Sequence, residues 1–228
     1  MYNPFPFDDP KPVNRPELSE KTISAVVSGG TPAVAKKFAA TVIENARKSN
    51  QILAFDGYTT VDWTLFLNLV ARECRIAGVE FVSIDQNREC FKSGEEIDKM
   101  IDPLLIWDTK IDPTLLYGKI YKGGYEGLLD EAKTVEFEEK VSALKGGKGK
   151  VVAVYGYGCL IPRFRKLYDV KCFFDITPKT SILRIRGGEY SNIGKERPDQ
   201  INRVIRRCYY CDFEVAVCNR RELLHNSA

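Results

Sequence analysis

Four short apolar runs, Gln51–Phe55, Val79–Ile84, Val151–Tyr155 and Val170–Ile176, constrain the fold more than any other feature of this chain. Each has the length of a strand, and each is mainly apolar rather than strictly alternating, as strands covered on both faces are. The first three are expected in the interior of a sheet. Asp85 follows the second run and Asp175 ends the fourth. Between the runs lie segments with helical spacing. Thr31-Pro32 opens one, with Val34, Phe38 and Val42 recurring along it, and Ser49-Asn50 ends it. Trp63–Ala77 is predicted as a second, with Leu65, Leu69 and Ile76 sharing a face with Phe66 and Val70, and Gly78 as its C-cap. Further helices are expected over Ser93–Met100, Asp130–Leu144, Pro178–Arg186 and Gln200–Arg207, and a last strand over Phe213–Val217. Strands alternating with helices give an α/β fold: a parallel sheet with helices on both faces. No internal repeat is evident. Residues 31–228 read as a single domain and residues 1–30 as an N-terminal arm, whose first part, Met1–Pro16, is rich in proline and carries Tyr2, Phe5 and Phe7 as candidate anchors.

Composition narrows the function classes. A net charge of +3 gives no basic footprint for nucleic acid or for an acidic membrane surface. No apolar run approaches the ~18 residues of a membrane span, and the N-terminus lacks the apolar centre of a signal peptide. A cytoplasmic protein is therefore expected. The seven cysteines, an odd number with no secretion signal, read as reduced thiols. Cys208-Tyr-Tyr-Cys211 is a lone pair where a structural zinc site needs four ligands, and His225 is the single histidine, so no metal site is expected.

The segment after the first run carries the most chemistry. A strand, then glycine, then a helix is the setting of a P-loop, G-x-x-x-x-G-K-S/T, where backbone amides at a helix start cradle phosphate, Lys reaches the terminal phosphates and Ser/Thr holds magnesium. Here Asp56-Gly57-Tyr58-Thr59-Thr60-Val61-Asp62-Trp63-Thr64 keeps the first Gly and the last Thr at the right spacing. Asp62 stands where the second Gly belongs, and Trp63 where Lys belongs. The loop loses its cation and gains a carboxylate. A carboxylate facing a polyphosphate costs about 4 kcal/mol at close range and an effective dielectric constant of ~20. The alternative is that Gly57 is only a strand-end turn. The candidate ligand-binding residues are Gly57, Tyr58, Thr59, Thr60 and Thr64.

Other candidates are weighed against simpler roles. Asp85, at the edge of the sheet where α/β ligands bind, is the candidate catalytic base for a substrate hydroxyl, or else a cap for the next loop. Asp56 would orient the loop or hold a metal-bound water, or else simply form the turn before Gly57. Arg184, Arg186, Arg197, Arg203, Arg206 and Arg207 form the densest basic cluster. Arginine suits phosphate, and Gly187, Gly188 and Gly194 nearby would let a lid move; the alternative is a solvated helix face. Tyr155-Gly-Tyr-Gly158 would floor a pocket or form a tight turn, and Lys145–Lys150 reads as a solvated loop.

Four segments in order then resemble the uridine kinase and phosphoribulokinase group of P-loop kinases. Ile52–Thr64 corresponds to the phosphate loop, and Phe81–Asp85 to the strand ending in an acidic residue. Val151–Gly156 matches a strand ending in Glu-Gly, with Tyr155 in place of the acid; Cys172–Ile176 followed by Ile182-Leu-Arg184-Ile-Arg186 matches the strand and lid arginines. A second resemblance is to the uridine-kinase-like domain that precedes some long bacterial class I mannose-6-phosphate isomerases, carried by Asn3–Phe7, Asp56-Gly57-Tyr58, Arg206–Tyr210, Asp212–Glu214 and Arg220–Leu224. These resemblances imply a three-layer P-loop kinase architecture with an altered phosphate loop. They imply a domain that binds a phosphorylated or nucleotide-like ligand, with Arg184 and Arg186 supplying the cation, or that regulates an attached or partner isomerase, without ordinary ATP-dependent kinase activity. The isomerase chemistry, which needs a metal-binding cupin, is not expected in this chain, which either stands alone or is part of a longer protein. The alternatives are an active nucleoside or sugar kinase with an atypical loop, which alone would require Mg-ATP, and an interaction domain with no ligand.

Overall fold

The computed structural model describes residues 19–25, 30–114 and 117–226. The expected Met1–Pro16 arm lies outside the described residues. A short helix, α1 (Glu20–Ala25), precedes α2 (Gly30–Ala46), and β1 (Gln51–Gly57) follows. Next come α3 (Thr64–Ile76), β2 (Glu80–Asp85), α4 (Gln86–Cys90), α5 (Gly94–Ile101) and α6 (Glu131–Ala143). The chain continues through β3 (Lys150–Tyr155), β4 (Val170–Phe174), α7 (Pro178–Arg186) and α8 (Ile201–Arg207). A π-helical turn, Cys208–Asp212, joins α8 to α9 (Phe213–Asn226). No helix among the described residues is long and apolar enough to cross a membrane.

The sheet is parallel with strand order β2-β3-β1-β4. Its two central strands show why their sequences are apolar at every position. In β1, Ile52 and Ala54 face one core while Leu53 and Phe55 face the other; in β3, Val152 and Val154 face the first and Val151 and Ala153 the second. The first core is closed by Phe137 and Val141 of α6 and by Phe164; the second by Val42 of α2 and by Phe66 and Val70 of α3. Each fully buried Val, Leu, Ile or Phe stabilises the fold by about 1.5–3 kcal/mol.

Three local expectations are corrected. The Val79–Ile84 run is an edge strand, not an interior one: Glu80 and Ser83 are exposed, and their polarity interrupts the apolar run. On α3 the buried face is Phe66, Leu67, Val70 and Cys74, while Leu65 and Ile76 point to solvent. Phe213–Val217 is helical, not a strand. Five residues are too few to separate the two periods, and in the helix adjacent Val215 and Ala216 each enter a different core.

The turn after β3 positions the site. Gly156 (φ +143°) and Gly158 (φ +77°) lie in regions that side-chain-bearing residues rarely adopt. Asn87 fixes this turn by accepting from the Tyr157 amide (3.0 Å) and donating to the Tyr157 carbonyl (3.1 Å). A Cβ on Gly156 would sit 2.7 Å from Asn87 Oδ1. Gly156→Ala should therefore cost about 2–3 kcal/mol in urea unfolding, whereas Gly149→Ala, where a Cβ meets nothing within 4 Å, should cost less through backbone strain alone.

Candidate functional site

In a sheet ordered β2-β3-β1-β4, the connection from β1 runs towards β2 and that from β3 runs back over β1 to β4. The chain therefore leaves the carboxyl ends of β1 and β3 in opposite directions, and a crevice opens there. The loop Gly57–Trp63 and the Gly156–Gly158 turn meet at this point.

Asp56 anchors both. Its carboxylate is fully buried and accepts four hydrogen bonds: Gly57 N (2.7 Å) and Gly158 N (3.0 Å) on Oδ1, Leu160 N (2.8 Å) and Asn219 Nδ2 (3.0 Å) on Oδ2. Burial pushes its pKa up to about 6 against the pull of these donors, so it is largely ionised at neutral pH. Of the roles open to Asp56, orienting the loop is the one its geometry fits.

Four more of the loop's amides are engaged within the chain. Tyr58 N donates to Phe174 O (3.0 Å), Thr60 N to the Tyr157 hydroxyl (3.0 Å) and Val61 N to Tyr58 O (3.1 Å). Thr64 N, the first amide of α3, donates to Asp62 Oδ1 (2.8 Å). Bonds from the Thr64 hydroxyl and amide hold the Asp62 carboxyl below the usual range. Asp62 thus sets a carboxylate at the start of α3, where the helix dipole favours negative charge. The Trp63 indole folds back over the loop: its Cζ2 lies 3.1 Å from where a Gly57 Cβ would be, and its ring packs on Tyr155 and Tyr157 with centroids 6.1 and 5.2 Å away. Thr60 has φ +75°, alone among the described non-glycine residues in being positive. Both of its peptide groups are pinned, since Arg184 Nη1 donates to its carbonyl (2.6 Å).

The structure brings together Gly57, Tyr58, Thr59, Thr60, Thr64 and Arg184, and it separates two other candidates from them. Tyr58 is buried, stacked on Phe213 at 6.3 Å, and Thr59 is tied by its hydroxyl to Asp212 O (3.2 Å) and by its carbonyl to the Ser181 hydroxyl (3.0 Å). Arg186 is exposed at the end of α7. Asp85 is parted from the loop by β3, pairs in register with Tyr155, caps α4 through the amides of Asn87 and Arg88, and forms an ion pair with Arg88 at 3.6 Å. Burial raises its pKa. Asp175 pairs with Arg220. Of the remaining arginines, Arg197 is exposed, Arg203 pairs with Asp102 (2.7 Å), Arg206 with Asp112 (3.3 Å) and Arg207 with Asp98 (2.7 Å). In the sequence Asp212 stands out only within the Asp212–Glu214 resemblance, because two of its partners, Tyr190 and Asn192, are distant along the chain. It gathers Tyr190, Asn192 and Arg207 beneath the segment after α7.

A cavity of about 540 Å³ opens beside the loop, between α3, the outer edge of β2 and the segment after α7. Trp63, Phe81, Tyr155, Tyr157 and Tyr190 give it aromatic walls, and Arg184, Asp62 and Glu189 bring charge. A second, more polar groove of about 820 Å³ runs past Asp85, Arg88, Lys92 and Lys195.

The model of a family described as "Domain of unknown function (DUF8485)" matches residues 30–228. Among solved structures, a proposed fructose transport system kinase from Silicibacter sp. TM1040 is similar with a TM-score of 0.54 and 12% identity, covering 85% of this chain and 95% of that one. Rif2 from Saccharomyces cerevisiae (86% of this chain, 72% of that one) and Rif2 bound to the C-terminal domain of Rap1 (81% and 64%) each give a TM-score of 0.35 at 12% identity, too low to indicate a shared fold. No curated protein matches the sequence. The likeness to the kinase supports the expected kinase-like parallel α/β architecture.

The raised pKa of Asp56 sets a pH test. Folding favours its protonated form, so its contribution to stability is present at low pH and is lost as pH rises from about 4 to 6. The stability of the wild type relative to Asp56→Asn should fall by about 3 kcal/mol across that window, read by urea unfolding at a series of pH values.

Proposed function

The chain belongs to the DUF8485 family, a family of domains of unknown function, and from that membership and its kinase-like fold we propose a ligand-binding domain that does not carry out ATP-dependent phosphotransfer. The observation that supports this reading is the closure of the loop from within. The amides of Gly57, Tyr58, Thr60, Val61 and Thr64 all donate to groups of the chain itself. A polyphosphate would have to displace those partners, meet the Asp62 carboxylate at the start of α3, and do without a lysine, whose position holds an indole. The residues present therefore do not fit Mg-ATP, and no transfer step is derived through it.

The ligand is placed in the cavity beside the loop. Of the ligand chemistries expected from the sequence, the cavity favours the aromatic base of a nucleotide-like compound over a phosphate group. Arg184 already serves the Thr60 carbonyl, Arg186 does not line the cavity, and the other paired arginines are committed to carboxylates. A partner or attached sugar-phosphate isomerase is proposed from the sequence resemblance alone. Its metal chemistry would lie elsewhere, because the described residues hold no group of three or more His, Cys, Asp or Glu side chains able to bind a metal.

Calorimetry with Mg-ATP is the direct test. No binding heat is expected with ATP at micromolar to low-millimolar concentration, and micromolar affinity would contradict the proposal.

A further inference from the structure

The chemistry of the cavity walls narrows the ligand class, an inference that rests on the ligand-binding reading above. At about 540 Å³ the cavity falls in the range of small-molecule sites. Its faces are unusually aromatic for a sheet edge, with Trp63 and Tyr155 on one side and Phe81 on β2. Planar rings stack on such faces. Its charge does not favour an anion: Asp62 and Glu189 stand against the single guanidinium of Arg184.

Two polar atoms of wall residues lack partners. Trp63 Nε1 and Thr60 Oγ1 are buried without a hydrogen bond, on side chains only 8% and 6% exposed. An unmet buried donor is a standing cost that an incoming acceptor relieves. Thr60 also carries the loop's strained φ of +75°. Strain and unmet polar atoms together, on one loop beside one cavity, are features that cluster where ligands bind.

We infer that this cavity takes an uncharged, planar aromatic or heteroaromatic compound bearing a carbonyl acceptor, of which an aryl carboxamide is the simplest form. The ring lies against Tyr155 and Trp63, the carbonyl meets the indole N–H after a small shift of the Trp63 ring, and the acidic mouth excludes carboxylate analogues.

Matched probes separate the outcomes. Nicotinamide against nicotinate, and benzamide against benzoate, differ mainly in charge; AMP without magnesium adds an anionic nucleotide. Saturation-transfer NMR is run with each on the wild type and on two variants. Ser83→Trp fills the cavity from an exposed edge-strand position. Trp63→Phe keeps a ring and removes the N–H, and is used only if its thermal midpoint shows it folded. The amides should give signals that Ser83→Trp abolishes and Trp63→Phe weakens about tenfold, with the carboxylates silent. Carboxylates binding as well as the amides, or amide signals indifferent to Ser83→Trp, would overturn the inference. Binding of AMP alone, blocked by Ser83→Trp, would overturn it while leaving the ligand-binding reading standing. Silence from every probe would end both.

Discussion

The site depends on one buried carboxylate. Asp56 ends the central strand β1 and collects donors from its own loop, from the turn after β3 and from Asn219 of α9. Taking a carboxylate out of water is costly, and only a full set of donors makes it tolerable. That requirement fixes three separate parts of the chain around the crevice between β1 and β3. Gly158 must adopt a positive φ to present its amide, and the π-helical turn before α9 sets the register of the helix that carries Asn219. The geometry of the loop follows from this frame.

Within it, on the reading proposed for this loop, Asp62 stands as an internal anion at the start of α3. The end of β1, the glycine and the following helix keep the arrangement that draws negative charge to a helix start. Asp62 meets that demand from inside the chain, and the Trp63 indole fills space over Gly57 that a lysine would leave to its flexible stem. Both substitutions act in the same direction. One places a negative charge and the other an aromatic ring where the P-loop pattern has glycine and lysine, and the proposed absence of phosphotransfer rests on both. The cavity lies to one side, towards β2, where the edge strand leaves Phe81 and Ser83 uncovered.

Much of this was legible in the sequence. The two central strands were visible because burial on both faces demands an apolar run, here Ile52–Phe55 and Val151–Val154. The Asp56–Thr64 loop stood out because the P-loop pattern fixes both residue type and spacing. What the sequence concealed depended on long-range partners. Phe213–Val217 alternates like a strand, but its neighbours on both sides are helical, and continuity decided the outcome. Arg203, Arg206 and Arg207 read as a cationic cluster because their carboxylates, Asp98, Asp102, Asp112 and Asp212, are scattered along the chain. Asn87 falls in no motif, and the roles of Tyr157 and Asp212 do not follow from the segments that contain them. They matter because Asn87 mimics a peptide group for the turn, Tyr157 receives the Thr60 amide, and Asp212 holds the segment after α7.

The central claim is that the loop is closed by its own partners before any ligand arrives. Residue-resolved amide hydrogen exchange on the ligand-free protein tests it most directly. The amides of Gly57, Tyr58, Thr60, Val61 and Thr64 should exchange far more slowly than those of an open loop such as Gly146–Lys148, and Asp62→Ala should speed exchange at Thr64. Exchange of these five amides as fast as in Gly146–Lys148, with strong slowing on addition of Mg-ATP, would show an open phosphate loop and contradict the account.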